Sequence, residues 1–260
     1  MWWIKFLALW GAIATASIPW GPARPARQHL TIMGATSVLP YIKVEVARWQ
    51  AHHPQYSVAV SGGGSIAGLM ELGQGHVSIA VSDLPPKPQW VDYVQKYPLG
   101  SLPILFVANR QAGVQSIDRR QLSAVFSGTI TKWDQVGGAR RPIIVVTRPL
   151  ASGARAVVES QLLRGRSFTR QALVQLSNGA VVRTVLDTPG AIGFVEGGRA
   201  PSGLLLLTVG KAQPATSTRA SWPYMAHPAL YVRPNAPSVV KRLANYLATR
   251  PQRRQYGIVP

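Results

Sequence analysis

Three short clusters rich in Ser, Thr and Gly each stand directly before a run patterned as an amphipathic helix: Gly34–Ser37 (GATS), Ser61–Ser65 (SGGGS), and Ser152–Gly153 within Arg148–Arg155 (RPLASGAR). The first backbone N–H groups of a helix lack intrahelical partners and lie at the positive end of its macrodipole. Hydroxyls and close-approaching glycines placed there form a cradle for a phosphate-like oxyanion. Three such cradles in one chain point to convergence on one ligand. Two charged residues extend the chemistry. Arg148 follows a strand-like run and offers a planar fork that matches two oxyanion oxygens. Asp83 falls at the carboxyl end of another strand-like run, where open α/β sheets bind ligands. Each has a plainer reading, Asp83 as a turn residue ahead of Pro85 and Arg148 as one surface arginine among many. Arg155, on the first turn of its helix, reads equally as facing the same cleft or solvent. Most of the remaining carboxylates, Glu45, Glu71, Asp92, Asp118, Asp134, Glu159, Asp187 and Glu196, sit at positions that read as exposed helix or turn.

The elements that must position these residues alternate between strand-like and helix-like runs, which predicts an α/β architecture with a mainly parallel sheet. His29–Met33 reads as a strand entering Gly34–Ser37. After it, Leu39, Ile42, Val46 and Trp49 share a helical face until Pro54, with His52–His53 ending that helix on the surface. Tyr56–Val60 is a second strand. Ser65 is expected to cap a helix carrying Ile66, Leu69, Met70 and Leu72, closed by Gly73 and Gly75. His76–Val81 is a third strand, delivering Ser82-Asp83 into a loop. Pro142–Thr147 is a strand ending at Arg148, and Ser152-Gly153 opens a helix through Val157, Val158 and Leu162. Leu204–Val209 (LLLLTV) reads as a buried strand, Lys211–Trp222 as a surface loop, and Val239–Leu247 as a C-terminal helix packed on the first part of the chain.

Composition narrows the classes of partner. The 260 residues carry 28 Lys and Arg against 9 Asp and Glu, a formal charge of +19 whose field concentrates anions. The longest arginine runs are pairs such as Arg140–Arg141 and Arg253–Arg254, and no nucleic-acid-binding motif is legible, so nucleic acid is not expected as a partner. With no cysteine, the chain has no disulfide framework, thiolate metal site, Cys nucleophile or N-terminal lipidated Cys. His29, His52, His53, His76 and His227 show no ligand spacing, so no metal site is expected. Trp2–Lys5, the apolar stretch Phe6–Ile18 and Ala14-Thr15-Ala16 read as a cleaved export signal. The alternative, an uncleaved anchor, meets the difficulty that Phe6–Ile18 is shorter than the roughly 20 residues of a spanning helix. The scarcity of carboxylates leaves little charge to lose as pH falls, which fits an exported protein in acidic surroundings.

An enzyme reading competes with the binding one. Gly62-x-Gly64-x-x-Ala67 follows a strand, opens a helix and precedes Asp83 by about 20 residues, matching the fingerprint of a dinucleotide-binding oxidoreductase. It leaves Gly34–Ser37 and Arg148–Gly153 unexplained, and an exported chain meets no soluble nicotinamide cofactor. A hydrolase reading is weaker, since neither Ser65 nor Ser152 sits in G-x-S-x-G and no His lies near a motif as a base.

The chain resembles the phosphate-binding receptors of phosphate ABC transporters, in the type II periplasmic-binding-protein superfamily. The resemblance covers nearly all of the mature chain. It is carried by GATS at Gly34–Ser37, SGGGSIAGL at Ser61–Leu69, VSDLP at Val81–Pro85, and QLSAVFSGTITKWDQVGG at Gln121–Gly138. It continues with TRPLASGAR at Thr147–Arg155, SNGAVVRTVLDTPGAIGFV at Ser177–Val195 and PYMAHPALYV at Pro223–Val232. The segment FSGTITKWDQVGG at Phe126–Gly138 is particularly specific to the family. The resemblance implies two α/β lobes joined by two crossing strands, Leu102–Ala108 and Tyr224–Val232, with the ligand cleft between them. After a signal peptide and leader at 1–27, lobe I would comprise 28–104 plus 224–260, and lobe II 105–223. One lobe would contribute Thr36, Ser37, Ser65 and Asp83, the other Arg148, Ser152 and Gly153. It implies a monomeric periplasmic receptor that is not an enzyme, holds no cofactor, captures inorganic phosphate and delivers it to membrane permease subunits. Within the same fold, sulfate, molybdate or a sensor role are the alternatives. One departure stands at Ala154, where the family usually has Thr, so one hydroxyl donor is missing. Asp83 favours phosphate. An ionised carboxylate accepts the proton of hydrogen phosphate and repels sulfate, which has only acceptors at neutral pH.

Overall fold

Side chains of a strand alternate between two faces, and here that alternation decides which helices cover each sheet. A computed structural model describes residues 27–198, 201–212 and 222–259. The expected export signal ahead of Arg27 and most of the expected Lys211–Trp222 loop lie outside the described residues. Two sheets each form the centre of a lobe. The first is ordered β2-β1-β3-β13-β4, from β1 (Gln28–Gly34), β2 (Tyr56–Gly62), β3 (Ile79–Ser82), β4 (Gln95–Pro98) and β13 (Ala229–Val232). Leu30, Ile32, Ile79, Val81, Leu230 and Val232 pack against α1 (Leu39–His52) and α6 (Ser238–Thr249). Met33, Ala80, Ala229 and Tyr231 pack on the other side with Leu69 and Leu72 of α2 (Ser65–Gln74). Fully burying side chains of this size contributes about 1.5–3 kcal/mol each, so the doubly covered sheet is the main stabilising unit of this lobe.

The second sheet runs β10-β5-β9-β7-β8, from β5 (Leu102–Ala108), β7 (Ile144–Thr147), β8 (Leu173–Val174), β9 (Ala191–Glu196) and β10 (Leu205–Leu206), with β12 (Met225–Ala226) beside β5. One face packs Ile104, Phe106, Ile192 and Phe194 against α3 (Arg119–Ser127) and α4 (Gly153–Val158). The other packs Leu105, Val107 and Val195 against α5 (Asn178–Asp187). A separate parallel pair joins β6 (Ser116–Ile117) to β11 (Thr208–Val209).

Both large sheets are mixed rather than mainly parallel. β13 runs antiparallel to β3 and β4, and β5 antiparallel to β9, β10 and β12, because the chain enters the second lobe through β5 and leaves it through β12 and β13. The two passages lie side by side. Leu99 N donates to Pro228 O at 3.0 Å, and Ser101 Oγ and His227 Nδ1 are 3.0 Å apart. The run Leu204–Val209 is not one buried strand. It divides at Leu207, with β10 pairing to β5 and β11 to β6, and the strand residues are half-buried. Leu204 and Leu207 belong to opposite faces of the sheet, so the run serves two packing surfaces in turn. Trp222, placed by sequence at the end of a surface loop, is buried in the second core, its indole N–H donating to Ile104 O at 3.1 Å. Glu45, one of the carboxylates of which most read as exposed, is wholly buried in α1. It accepts from Arg48 at 2.6 Å, Tyr246 at 3.3 Å and Arg250 at 3.4 Å, which ties α1 to the C-terminal helix. A buried carboxylate needs such partners, and helical periodicity alone did not reveal them.

Candidate functional site

β1 ends at Gly34 with φ of +147°, where an added Cβ would lie 1.9 Å from Val81 O. Only glycine lets β1 and β3 approach this closely at their carboxyl ends, with Ala35 N donating to Val81 O at 2.9 Å. The approach sets Gly34–Ser37 beside Ser82-Asp83. Ser37 Oγ donates to Asp83 Oδ1 and Ser65 Oγ to Oδ2, both at 3.3 Å, while Asp83 N donates back to Ser65 Oγ at 3.1 Å. Ser65 therefore does not cap α2. Gly64 holds the cap position without a side-chain bond, Ser65 is the first helical residue and wholly buried, and its hydroxyl serves the charged acceptor.

The second lobe supplies Arg148, directly after β7 and only 3% exposed. Its Nη1 donates to Asn178 Oδ1 at 3.1 Å. Its Nη2 donates to Leu176 O at 3.2 Å and, across the lobes, to Thr36 Oγ1 at 3.1 Å. Arg148 Nε is buried with no hydrogen-bond partner, an unusual state for a charged donor. Ser152 caps α4 by accepting from Arg155 N at 3.4 Å. Gly153 presses against the opposite lobe so tightly that an added Cβ would stand 2.4 Å from Asp83 Cβ and 2.8 Å from its Oδ2. The structure thus brings Thr36, Ser37, Ser65, Asp83, Arg148, Ser152 and Gly153 to one junction between the lobes. Arg155 turns away into its own lobe. It pairs with Glu159 at 2.8 Å, donates to Arg148 O at 2.8 Å and stacks over Phe168, bracing the loop that carries Arg148. Ala154 is fully buried within the second core.

Two residues of the junction were not singled out by the sequence. Glu196 is buried at the end of β9, and its carboxyl lies within hydrogen-bonding reach of Asp83. Asn178 clamps it: Asn178 Nδ2 donates to Glu196 O at 3.0 Å, and Glu196 N donates to Asn178 Oδ1 at 3.5 Å. The motif Ser177–Val195 contains Asn178 and stops one residue short of Glu196, so the signal was adjacent. Asp83 as a residue keeps a partly exposed edge, but protein encloses its carboxyl. Burial pushes the Asp83 carboxyl above the ordinary range, opposed by hydrogen bonds from Glu196, Ser65 and Ser37 and by the charge of Arg148. Burial, reinforced by the charge of Asp83, holds Glu196 well above its ordinary value. Burial lowers Arg148, against the pull of Glu196 and Asp83.

The arrangement suits a small anion with a proton to donate. It offers a buried cation with an unused N–H, backbone and hydroxyl groups of two loops, and a carboxylate acceptor. It does not suit a dinucleotide, because the Gly62–Gly64 turn faces the other lobe closely, with an added Cβ at Gly64 only 3.2 Å from Ala151 O. Among the described residues, no group of three His, Asp or Glu is placed to hold a metal ion, and no helix is long and apolar enough to cross a membrane.

Comparison with known proteins adds independent findings. A family model described as a PBP superfamily domain matches residues 21–221. The chain is 26% identical over 228 residues to the phosphate-binding protein PstS of Bacillus subtilis, covering 85% of this chain and 76% of that protein. It superimposes on an ABC-type phosphate transport receptor from Vibrio cholerae with a TM-score of 0.71 and 29% identity, over 89% of this chain and 100% of the other. A phosphate-bound substrate-binding protein of a putative phosphate ABC transporter from Clostridium perfringens shares the fold, with a TM-score of 0.77 at 20% identity over 85% and 93% of the two chains.

Proposed function

Because the chain belongs to the PBP superfamily, we propose that it is a solute-binding receptor that captures inorganic phosphate between its two lobes and delivers it to the permease subunits of an ABC importer. The observation that carries the reading is the pairing, at one buried junction, of Arg148 with its unpartnered Nε and Asp83 with its carboxylate. Arg148 neutralises anion charge. Asp83 accepts the proton of hydrogen phosphate and disfavours sulfate and molybdate, which offer none. The hydroxyls of Thr36 and Ser152 and the backbone N–H groups of Ser37, Ser65 and Gly153 supply the remaining donors, while the Ser37 and Ser65 hydroxyls hold Asp83 in place. The relatives from Bacillus subtilis and Vibrio cholerae carry phosphate binding or transport in their names and support the same ligand here. The adjacent passages at Leu99–Ser101 and His227–Pro228 serve as the hinge about which the lobes part. In this reading the protein is a monomeric, exported, periplasmic receptor. It has no catalytic role, no cofactor and no nucleic-acid partner.

Calorimetry with phosphate and sulfate tests it. The wild-type protein binds phosphate in preference to sulfate, and Asp83→Asn lowers that preference by about tenfold to a hundredfold, the equivalent of one hydrogen bond to a charged group. Equal wild-type affinity for the two anions, or an unchanged ratio in Asp83→Asn, refutes the assignment.

A further inference from the structure

Two of the chain's nine carboxylates are buried against each other at a site that attracts anions. One cation, Arg148, faces both. With both acids ionised the junction would hold a net negative charge in a low-dielectric setting, and like charges this close do not both persist. The surroundings decide which acid keeps the proton. Asp83 accepts hydroxyl hydrogen bonds on both oxygens, from Ser37 and Ser65, and these favour its ionised form. Glu196 faces Asp83 itself, and its backbone is held on both sides by Asn178, the residue that also receives Arg148 Nη1. Among the described residues Tyr231 also feels the charge of Asp83; burial first, and that charge second, push it up to about 12, so it stays neutral.

We propose that Glu196 is a positioning residue of the anion site: it carries the single proton of the pair, donates it in a hydrogen bond to Asp83, and so keeps Asp83 ionised and aimed at the proton of bound phosphate. The proposal rests on the reading of the junction as a phosphate site. Glu196 neutral, Asp83 negative and Arg148 positive leave no net charge where the anion arrives. Loss of the Glu196 proton at alkaline pH adds a negative charge beside the ligand and withdraws the donor that orients Asp83. Phosphate binding therefore weakens with rising pH for a reason that belongs to the protein and not only to the ionisation of phosphate.

Phosphate affinity measured by calorimetry from about pH 5 to about pH 9, for wild type and Glu196→Gln, separates the two causes. The glutamine keeps an N–H donor toward Asp83 and cannot ionise, and phosphate's own titration cancels in the ratio of the two affinities. That ratio shifts toward the variant by at least tenfold between the acidic and alkaline ends. A constant ratio overturns the proposal. Carbon-13 NMR of the wild-type protein with labelled glutamate follows the proton directly, whatever the variant does to folding. The chain has four glutamates, Glu45, Glu71, Glu159 and Glu196, and the Glu196 carboxyl carbon titrates at higher pH than the ordinary range. Its titration in the usual carboxylate range overturns the proposal. Wild type that binds no phosphate at any pH refutes the functional reading instead, and the NMR titration still decides the state of the pair.

Discussion

Replacing Gly153 by alanine tests whether binding requires the lobes to meet as they do here. The backbone of Gly153 is in a region any residue adopts, so the substitution adds no local strain. Its methyl would stand 2.4 Å from Asp83 Cβ, against the 3.4 Å at which ordinary contact begins, a deficit of 1.0 Å. Asp83 is braced by Ser37 and Ser65 and faces Glu196, so it has little room to retreat. The lobes must then stay apart by about that distance. Hydrogen bonds of about 2.7–3.2 Å do not survive it. Loss of two bonds to the charged ligand, at the lower value of about 1.5 kcal/mol each, weakens phosphate binding by at least about a hundredfold. The free protein should be no less stable, because alanine favours the helix over glycine by up to about 1 kcal/mol. Calorimetry gives the first quantity and thermal unfolding without phosphate the second. Wild-type phosphate affinity in Gly153→Ala would refute the closed junction as the binding state, and a large loss of stability in the free protein would show that Gly153 has a structural role instead.

Arg148→Lys keeps the positive charge but cannot reach Asn178, Leu176 and Thr36 together with a fork of donors. Phosphate affinity should fall about tenfold to a hundredfold in calorimetry while the far-UV circular dichroism stays that of the wild type. The buried acids also set the pH dependence of folding. Asp83 and Glu196 are both raised in the folded state, so the stability they contribute is complete below the ordinary carboxylate range and is lost as pH rises through their folded values. Urea unfolding of the phosphate-free protein should show a midpoint that declines as pH rises above the ordinary carboxylate range. A midpoint that rises instead contradicts the assignment of raised values.

Local chemistry made much of the fold legible. Periodicity located α1 and α6, glycine marked the end of α2, and Ser152 announced the start of α4. What remained hidden depended on contacts distant along the chain. The antiparallel character of β5 and β13 follows from the two passages between lobes, which no strand pattern encodes. The leucines of Leu204–Val209 look alike in sequence and part only because two different strands, β5 and β6, receive them. In the candidate site, the hydroxyl clusters, Arg148 and Asp83 could be proposed because each sits at a strand end or helix start. Glu196 could not, since a carboxylate at the end of an apolar run reads as the point where the chain reaches solvent. Its burial depends on neighbours far along the chain, Asn178 and Asp83. Ser65 departs from its expected capping role for a related reason: the capping position is local, and its partner Asp83 is 18 residues away.

The charge of the chain and the charge of the site act over different distances. A net charge of +19 raises the concentration of every anion near the protein, phosphate and sulfate alike, and salt screens that effect beyond about 10 Å. Attraction of this kind carries no chemical information. Discrimination has to come from groups in contact with the ligand, where screening is weak, and in a strongly basic protein the informative group is a negative one. A further arginine at the junction would tighten binding of any oxyanion. A carboxylate rejects those without a proton to give. The carboxylate discriminates only while it stays ionised, and burial opposes that. The Ser37 and Ser65 hydroxyls, the Arg148 guanidinium and the Glu196 carboxyl each offset part of the cost of keeping Asp83 charged. The crowding of polar groups around one aspartate is therefore what selective recognition of a protonated anion requires.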